Sequence, residues 1–354
     1  MDGSTISAQL HGSFLDSQIR RTNRNLLLVS LLLIAGVAGY CVAQRRYLYN
    51  FFAGPLEINN QALAETTLPG GQTRYFVRVR GEDASDTGVQ EIEQETEGGT
   101  VRRETVTANY VLLSVGKRLL VVKASPSAKG PVFEGGLGEL PADVRSQVVA
   151  PLLKEYPNAE QAFLPLMLDA TGFRNDGYIA LAICIPAVLL AAWLGRKVML
   201  RKNAPETHPI VRMASQYGPL ADISQQLDAE LRGGVEKFGK AKVTSTWVLL
   251  PKPFGLQMCR IPDLIWAYKK VTRHYHSFIP TGKTYEVIMY DRWGKPLQMQ
   301  TKQKKVDAVL KLLAERAPWA VFGYSDELNK TLQTNWAGFV HAVDAKRSKA
   351  ATAP

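Results

Sequence analysis

With 354 residues, the chain is long enough for two modest folded domains in addition to membrane spans. Its hydrophobic fraction of 46% is ordinary for a globular protein, because two short apolar runs are diluted by long polar stretches. The net charge of +11 is unevenly spread. Residues 44–177 hold 14 Lys and Arg against 17 Asp and Glu, whereas residues 178–354 hold 26 against 13. The cysteines, Cys41, Cys184 and Cys259, exclude a disulfide framework and a Cys/His zinc site.

The first apolar run covers residues 26–43 and follows three arginines. Residues 1–19 before them are polar, and we predict that they are flexible. A secretory signal and a retained anchor both fit this pattern. The long polar lead-in and the length of the run favour the anchor, and Tyr40 is too bulky to precede a lipoprotein cysteine. We therefore predict a transmembrane helix over residues 26–43 after a cytoplasmic tail of residues 1–25.

The second apolar run, YIALAICIPAVLLAAWL at residues 178–194, contains no charged residue. It is about long enough to cross the hydrocarbon core of a bilayer. Only an α-helix satisfies its own backbone in that environment. We predict a second transmembrane helix over residues 178–195, which leaves residues 44–177 and residues 196–354 as separate domains.

Basic residues near the ends of the two spans predict their orientation. Seven lie on the side of the chain termini and three on the other side. The seven are Arg20, Arg21, Arg24, Arg196, Lys197, Arg201 and Lys202. We predict a multi-pass protein of the cell inner (plasma) membrane with both termini in the cytoplasm. The adjacent Arg45 and Arg46 are the one feature against this orientation.

The segment between the spans is predicted to be rich in β-strands. Residues 74–81 alternate between apolar and basic side chains, and Gly98-Gly99 marks a hairpin turn. In that hairpin we expect Glu95 to face Arg102 as an opposite-charge pair. Residues 110–123 form a second predicted hairpin.

The rest of this segment is predicted to be a loop over residues 124–138 and an amphipathic helix over residues 142–156. Four or five strands with one helix are typical of a small OB-like barrel, and a fragment of a β-sandwich is the alternative. This segment is the predicted extracytoplasmic domain, residues 44–177.

The region after the second span is predicted to be an α+β domain. Two short helices, separated by Gly218-Pro219, precede five strands of an antiparallel meander. The strands are 242–251, 254–262, 263–276, 283–291 and 295–301. An amphipathic helix over residues 304–316 follows, and Ser325 is the predicted cap of a last helix with a frayed end at residues 348–354.

Three segments of this region carry a resemblance: TSTWVLL (244–250), IPDLIWAY (261–268) and PWAVFGYSDEL (318–328). With them, the chain resembles uncharacterised bacterial two-span membrane proteins grouped as domains of unknown function. A run of strands closed by an amphipathic helix also resembles, loosely, the PH-like barrels of bacterial membrane proteins. The resemblance implies a membrane location and an architecture, and it brings no known activity.

Basic residues in this region form the most informative candidate site. They are Lys269, Lys270, Arg273, His274, His276, Lys302, Lys304 and Lys305. Each such residue near an anionic leaflet contributes about 1 kcal/mol of attraction. We predict a surface for anionic lipid headgroups, with an acidic protein partner as the alternative. Nucleic acid is the weakest of the three candidates, because the interleaved Trp266, Tyr268 and Tyr275 alternate as core residues do.

Trp293 joins this candidate surface because it lies in a turn beside Arg292, where an aromatic side chain could enter a membrane interface or a partner. Local packing over the hairpin is the alternative. His274 and His276 have the spacing of a shared metal site on a strand. Lys269, Lys270 and Arg273 would repel the cation, so no metal site is predicted.

The segment Gly135–Gly138 resembles a phosphate-binding loop only in part, since Pro141 stands where a dinucleotide fingerprint has its third glycine. We predict a turn there. Neither a catalytic residue nor a cofactor follows from the sequence.

These observations predict a non-enzymatic integral membrane protein, an interaction or scaffold protein that links an outer β-rich domain to a basic cytoplasmic domain. A membrane-bound enzyme whose site assembles from distant residues is one alternative. A cytoplasmic domain that binds nucleic acid is the other.

Overall fold

The computed structural model combines helices with three β-sheets and describes residues 3–65, 73–98, 100–276, 279–294 and 296–352. The chain divides into two compact units. Residues 1–31 and 191–354 form one of them, which we call the terminal unit, and residues 32–190 form the other, which we call the central unit.

The segment before the first apolar run is helical, which corrects the prediction that residues 1–19 are flexible. Helix α1 covers Gly3–Leu10 and helix α2 covers Phe14–Ala43. The Ser13 hydroxyl accepts a hydrogen bond from the backbone N–H of Asp16 at 3.1 Å, as an N-terminal cap does. The first apolar helix therefore starts twelve residues earlier than predicted.

The central unit continues with nine short elements and one long hairpin, β3 with β4, before the second apolar helix. In chain order they are α3 (Arg45–Ala53), β1 (Leu56–Ile58), α4 (Asn60–Glu65), β2 (Phe76–Arg80), β3 (Ala84–Glu97), β4 (Thr100–Val115), β5 (Arg118–Ala124), β6 (Val132–Glu139), α5 (Ala142–Val144), α6 (Ala150–Glu155) and β7 (Phe163–Ala170). A single turn of π-helix, Arg145–Val149, joins α5 to α6 just before Pro151.

The seven strands form one mixed sheet in the order β1-β2-β6-β7-β5-β4-β3. Its core lies where β2, β5, β6 and β7 bring together alternating apolar side chains. These include Val77, Val79, Leu120, Val122, Leu164, Leu166 and Leu168. The sheet order has two ends and two parallel pairs, β1–β2 and β5–β7, so an OB-like barrel is not confirmed.

Both predicted hairpins of the central unit are present, and one register differs. Glu95 pairs with Arg103 and not with Arg102, because an irregularity between Glu95 and Thr96 shifts the strand by one residue. Gly99, at the predicted turn, lies outside the described residues. The predicted helix over 142–156 is confirmed as α5, the π turn and α6.

The glycine-rich stretch was predicted wrongly as a loop. Strand β6 pairs with β2 on one side and with β7 on the other, so Gly135–Gly138 is sheet and not a turn. A Cβ atom at Gly135 would overlap the carbonyl oxygen of Asp169 on β7. Glycine is therefore needed there for the close approach of two strands.

The second apolar helix, α7, covers Phe173–Asn203, and it exceeds the predicted span at both ends. Together, α2 and α7 are the two described helices that are long and apolar enough to cross a membrane. Only 11% of the most apolar window of α2 and 22% of that of α7 are buried. Within the terminal unit, the Ser30 hydroxyl donates a hydrogen bond to the carbonyl oxygen of Ala191 at 2.9 Å.

The terminal unit continues after α7 with eight strands and five helices. They are α8 (Pro209–Ala214), α9 (Leu220–Gly233), β8 (Glu236–Phe238), β9 (Ala241–Val243), β10 (Trp247–Lys252), β11 (Gly255–Arg260), β12 (Leu264–His276), β13 (Ile279–Asp291), β14 (Pro296–Thr301), α10 (Gln303–Arg316), β15 (Val321–Phe322), α11 (Asp326–Thr334) and α12 (Trp336–Thr352).

These strands form two four-stranded sheets where the sequence predicted one meander. The first has the order β11-β10-β9-β8 and the second the order β14-β13-β12-β15. The predicted strand 242–251 is divided into β9 and β10, because Thr244 turns the chain with its hydroxyl against the backbone of Trp247. Residue 295, the predicted start of β14, lies outside the described residues.

The end of the chain also differs from the prediction. Ser325 caps α11, as predicted, and accepts a hydrogen bond from the Leu328 N–H at 3.1 Å. The predicted last helix is interrupted at Asn335 and resumes as α12, which extends to Thr352, so the residues predicted to be frayed are helical as far as that position.

Three clusters of buried side chains hold the terminal unit together. In the first, α10 packs through Val306, Val309 and Leu313 against side chains of both sheets. The second places α11 and α12 around Trp266. The third combines the N-terminal segment with α8, α9, β10 and β11, and its members include Ile6, Leu10, Leu15, Ile210, Leu227 and Trp247. The N-terminal residues are thus part of the C-terminal core.

Candidate functional site

The predicted basic residues of β12 lie on the outer half of the long hairpin formed by β12 and β13. Lys270, Arg273, His274 and His276 are exposed. Lys269 is partly buried and forms an ion pair with Asp307 of α10 at 2.8 Å. The buried inner half of β12 ends at Ala267, so the hairpin changes from core to solvent at this point.

One of the two histidines of the predicted surface, His274, has a hydrogen-bonding partner. The Nε2 atom of His274 lies 2.6 Å from the hydroxyl of Thr284 on β13. Among the residues that the structure describes, no group of three His, Cys, Asp or Glu side chains is arranged to hold a metal ion.

Trp293 is separated from the basic residues of the hairpin. It follows the end of β13 at Asp291, whereas His274 pairs with Gly282, nine residues earlier on the same strand. At about 3.3 Å per residue, this places them about 30 Å apart along the strand. The Trp293 side chain is 50% exposed, and its ring centroid lies 6.5 Å from that of Tyr217.

A cleft of about 750 Å³ collects several lysines that lie far apart in the sequence. Its lining includes Lys240, Lys252, Lys283 and Lys302 from both sheets and from the start of α10. No Asp or Glu lines it among the described residues. We call this feature the basic cleft. Of its lysines, only Lys302 was predicted from the sequence.

Hydroxyl and backbone groups complete the basic cleft. Thr284, Tyr285 and Thr301 line it, and Thr284 is the residue that His274 contacts. Lys252 donates a long hydrogen bond to the carbonyl oxygen of Gln298 at 3.4 Å, within its own surface. Lys304 and Lys305 are exposed in the first turn of α10, next to Lys302. Four ammonium groups without a nearby carboxylate favour an anionic ligand with several charges.

The missed lysines follow a pattern in the sequence. Lys240 and Lys283 each follow a glycine, and Lys252 precedes a proline, as residues near turns do. In the structure Lys240 lies in the turn between β8 and β9 and Lys252 ends β10, whereas Lys283 lies within β13. Turns of an antiparallel sheet place side chains at its ends. Which of these lysines come close together depends on how the two sheets pack, and a single sequence does not give that packing.

Asp291, at the end of β13 and away from the basic cleft, is a buried carboxylate whose contacts are structural. It is 4% exposed, accepts a hydrogen bond from the Tyr217 hydroxyl at 2.7 Å and another from the Trp293 N–H at 3.0 Å. Burial raises the pKa of Asp291, against the effect of those two hydrogen bonds, and the charge of Asp263 raises it further. Burial also raises the pKa of Cys259 well above its ordinary value. This thiol is therefore a protonated core group and not a nucleophile.

His208 is a second buried titratable group. Burial and then the charge of Arg201 lower its pKa to about 4. Its Nδ1 atom accepts a hydrogen bond from the Ile210 N–H at 3.1 Å, which caps α8. The imidazole is therefore neutral at physiological pH and serves the start of that helix.

A family model for a domain of unknown function, DUF6709, matches residues 223–332. The match begins in α9, ends in α11 and includes both sheets of the terminal unit, the basic cleft and the three segments that carry the resemblance noted above. No curated protein matches the chain, and no solved structure matches it.

Proposed function

We propose that the protein is a non-enzymatic, two-span protein of the inner (plasma) membrane with both termini in the cytoplasm. In this proposal α2 and α7 supply the spans, the seven-stranded domain is extracytoplasmic and the basic domain is cytoplasmic. The protein connects a partner on the outer side to anionic groups on the inner side. A bacterial source, suggested by the resemblance alone, belongs to the same proposal.

The observation that carries this proposal is the exposure of apolar side chains along both long helices. Leu32 is 70% exposed and Ile183 is 66% exposed, and neither helix has an apolar neighbour to cover most of its surface. Burying one such side chain is worth about 1.5–3 kcal/mol. A lipid environment covers all of them at once, and the backbone of each helix is already satisfied.

The shared core of the terminal unit supports the proposal that both termini lie on one side. Ile6, Leu10 and Leu15 precede the first span, and Ile210 and Leu227 follow the second, yet all belong to one cluster. The Phe14 N–H also donates to the carboxylate of Asp228 at 2.8 Å. Segments that share a hydrophobic core lie on the same side of a membrane, which requires an even number of spans between them.

The basic cleft supports an interaction role on the cytoplasmic side. In this proposal the anion-binding surface gains Lys240, Lys252 and Lys283. Trp293 is left out of it, because that residue follows the other end of β13. An anionic leaflet attracts such a surface by about 1 kcal/mol for each basic residue near it. Anionic lipid headgroups are therefore the proposed ligand, and an acidic protein is the alternative.

The finer fold assignments belong to this proposal too. Two sheets that share a core with α10 support a PH-like terminal domain. For the central domain an OB-like assignment has less support, because its sheet has seven strands and contains parallel pairs.

Reporter fusions test the topology. Alkaline phosphatase, which is active only outside the cytoplasm, is fused after residue 120 in one version and after residue 354 in another. We expect activity from the first fusion and none from the second, with a fluorescent cytoplasmic reporter giving the opposite pattern. An active phosphatase at residue 354 would contradict the proposed sides, and release of the protein by alkaline carbonate would contradict the spans themselves.

A further inference from the structure

A groove of about 480 Å³ lies in the terminal unit beside the polar ends of the two apolar helices, α2 and α7. Its apolar walls come from α1, α2 and α7, namely Ile6, Leu10, Ile19, Leu27 and Val198. Leu27 is 43% exposed and continues into the exposed apolar face of α2. We call this feature the helix-end groove.

Basic side chains dominate the polar part of the helix-end groove. They are Arg20, Arg24, Arg201 and Lys202. The carboxylate of Asp16 also lines the groove, but Arg20 occupies it with hydrogen bonds and an ion pair at about 3 Å. No other carboxylate lines the groove among the described residues, so three cationic groups remain without a counter-ion.

Two polar atoms of the groove are buried without a hydrogen-bond partner in the described structure. One is Nη1 of Arg201, and the other is Oδ1 of Asn23. A buried polar group that lacks a hydrogen-bond partner destabilises a structure, and a charged group does so more strongly. The Asn23 amide can turn either its oxygen or its NH₂ group towards a ligand. Such groups indicate a missing partner with hydrogen-bonding oxygen atoms.

We propose that the helix-end groove binds one anionic phospholipid, with its phosphate contacted by Arg201 and Arg24 and the start of an acyl chain along Leu27 and Val198. This inference rests on the proposed membrane location. A free phosphate would satisfy the cations but would leave the apolar walls uncovered. A phospholipid matches both the basic part and the apolar part of the groove, because its charged headgroup is joined directly to its apolar chains.

The test measures lipid binding to the full-length protein in mild detergent by native mass spectrometry. After delipidation, the protein is titrated with phosphatidylglycerol or with phosphatidylcholine. We expect one tightly held phosphatidylglycerol and a weaker phosphatidylcholine adduct. Arg201→Gln and Arg24→Gln should each weaken phosphatidylglycerol binding about tenfold, since a charge-assisted hydrogen bond is lost. Arg201→Lys should retain part of the binding, which shows that the site and not the fold was affected.

Matched controls lie on the same helices but do not line the groove. Arg196→Gln on α7 and Arg21→Gln on α2 remove the same charge and should change binding less than twofold. Equal losses in controls and groove variants, equal affinity for the two lipids, or full displacement by inorganic phosphate would each overturn the lipid site. Carbonate extraction of the same membranes tests the membrane location separately, so failure of one proposal is distinguishable from failure of the other.

Discussion

The two units differ in how their charged side chains are paired. In the central unit, charged side chains pair across the sheet: Lys123 of β5 pairs with Glu91 of β3 at 2.6 Å, and Arg78 pairs with both Glu57 and Glu134 on the two strands beside it. In the terminal unit, no carboxylate lines the basic cleft within the part of the chain that the structure describes. Paired charges stabilise a surface locally, whereas unpaired charges of one sign attract an external partner. This difference supports the proposal that the terminal unit, and not the central unit, binds an anionic partner.

The largest expected effect tests whether the two units are stabilised separately. Trp266 is fully buried among Tyr290, Tyr324 and Phe339, and its indole N–H donates to the Gly323 carbonyl at 2.7 Å. We expect Trp266→Ala to lower the free energy of unfolding of the terminal unit by about 3–5 kcal/mol. Hydrogen exchange, read separately for the two units, measures this change.

The exposed Trp293 provides the matched control. Trp293→Ala removes the same side chain from a surface turn and should cost less than about 1 kcal/mol. Faster exchange in the strands of the central unit of the Trp266→Ala protein would show that the units depend on one another for stability.

The next prediction tests the unpaired positive charge of the basic cleft. Lys283→Gln combined with Lys302→Gln removes two of the four cleft lysines. We expect about 2 kcal/mol less attraction to anionic lipid, or about thirtyfold weaker binding. Protein in phosphatidylcholine nanodiscs, floated with phosphatidylglycerol vesicles, gives the affinity. Lys237→Gln with Lys330→Gln, on exposed positions outside the cleft, should have a much smaller effect, and retention on DNA in place of vesicles would support a nucleic-acid ligand instead.

A third prediction concerns pH and the buried Asp291. Burial raises its pKa in the folded state above the ordinary value of 3.8. The folded state therefore binds this proton more tightly than the unfolded state, so the contribution of Asp291 to stability is full below pH 3.8 and is lost as pH rises through the folded pKa.

Denaturant unfolding at a series of pH values checks this sign. The stability of the wild-type protein relative to Asp291→Asn should fall with rising pH, by at most about 1.4 kcal/mol per pH unit for one proton. Tyr217, Asp263 and Cys259 surround this carboxyl group, and the same series in Asp263→Asn measures the contribution of the nearest negative charge. A relative stability that rises with pH would mean that the carboxylate is the favoured form.

The smallest expected effect lies in the central unit. Lys123→Gln removes the ion pair with Glu91 on a partly exposed surface. We expect a loss below about 1 kcal/mol, and it should shrink further at high salt. Thermal unfolding in low and high salt measures it, with the exposed loop residue Lys129→Gln as the control. A loss of several kcal/mol would mean that the central unit depends on its paired charges and not on its apolar core.

Local pairing explains which parts of this fold could be predicted from the sequence. The hairpins of β3 with β4 and of β4 with β5 join strands that are adjacent in the chain, and both were predicted. Strand β6 was missed because glycines within a sequence rich in Gly and Pro indicate a loop. Only its neighbour β7, from a distant part of the chain, explains why Gly135 must lack a side chain.

The same reasoning applies to the candidate site. Lys269, Lys270 and Lys302 were predicted from a run of basic residues, which a sequence displays directly. Lys240 and Lys283 come together only through the packing of two sheets. Residues 1–19 were predicted to be flexible because the apolar partners of Ile6, Leu10 and Leu15, such as Ile210 and Leu227, lie about two hundred residues away.

The position of α1 has a consequence for the order of events during synthesis. Ile6, Leu10 and Leu15 are synthesised before the side chains that cover them, such as Ile210 and Leu227, which follow α7. Because chains grow from the amino terminus, α1 stays uncovered until α2, the central unit and α7 have been made. A product truncated after α7 would therefore lack the cover of these side chains and would expose them to solvent.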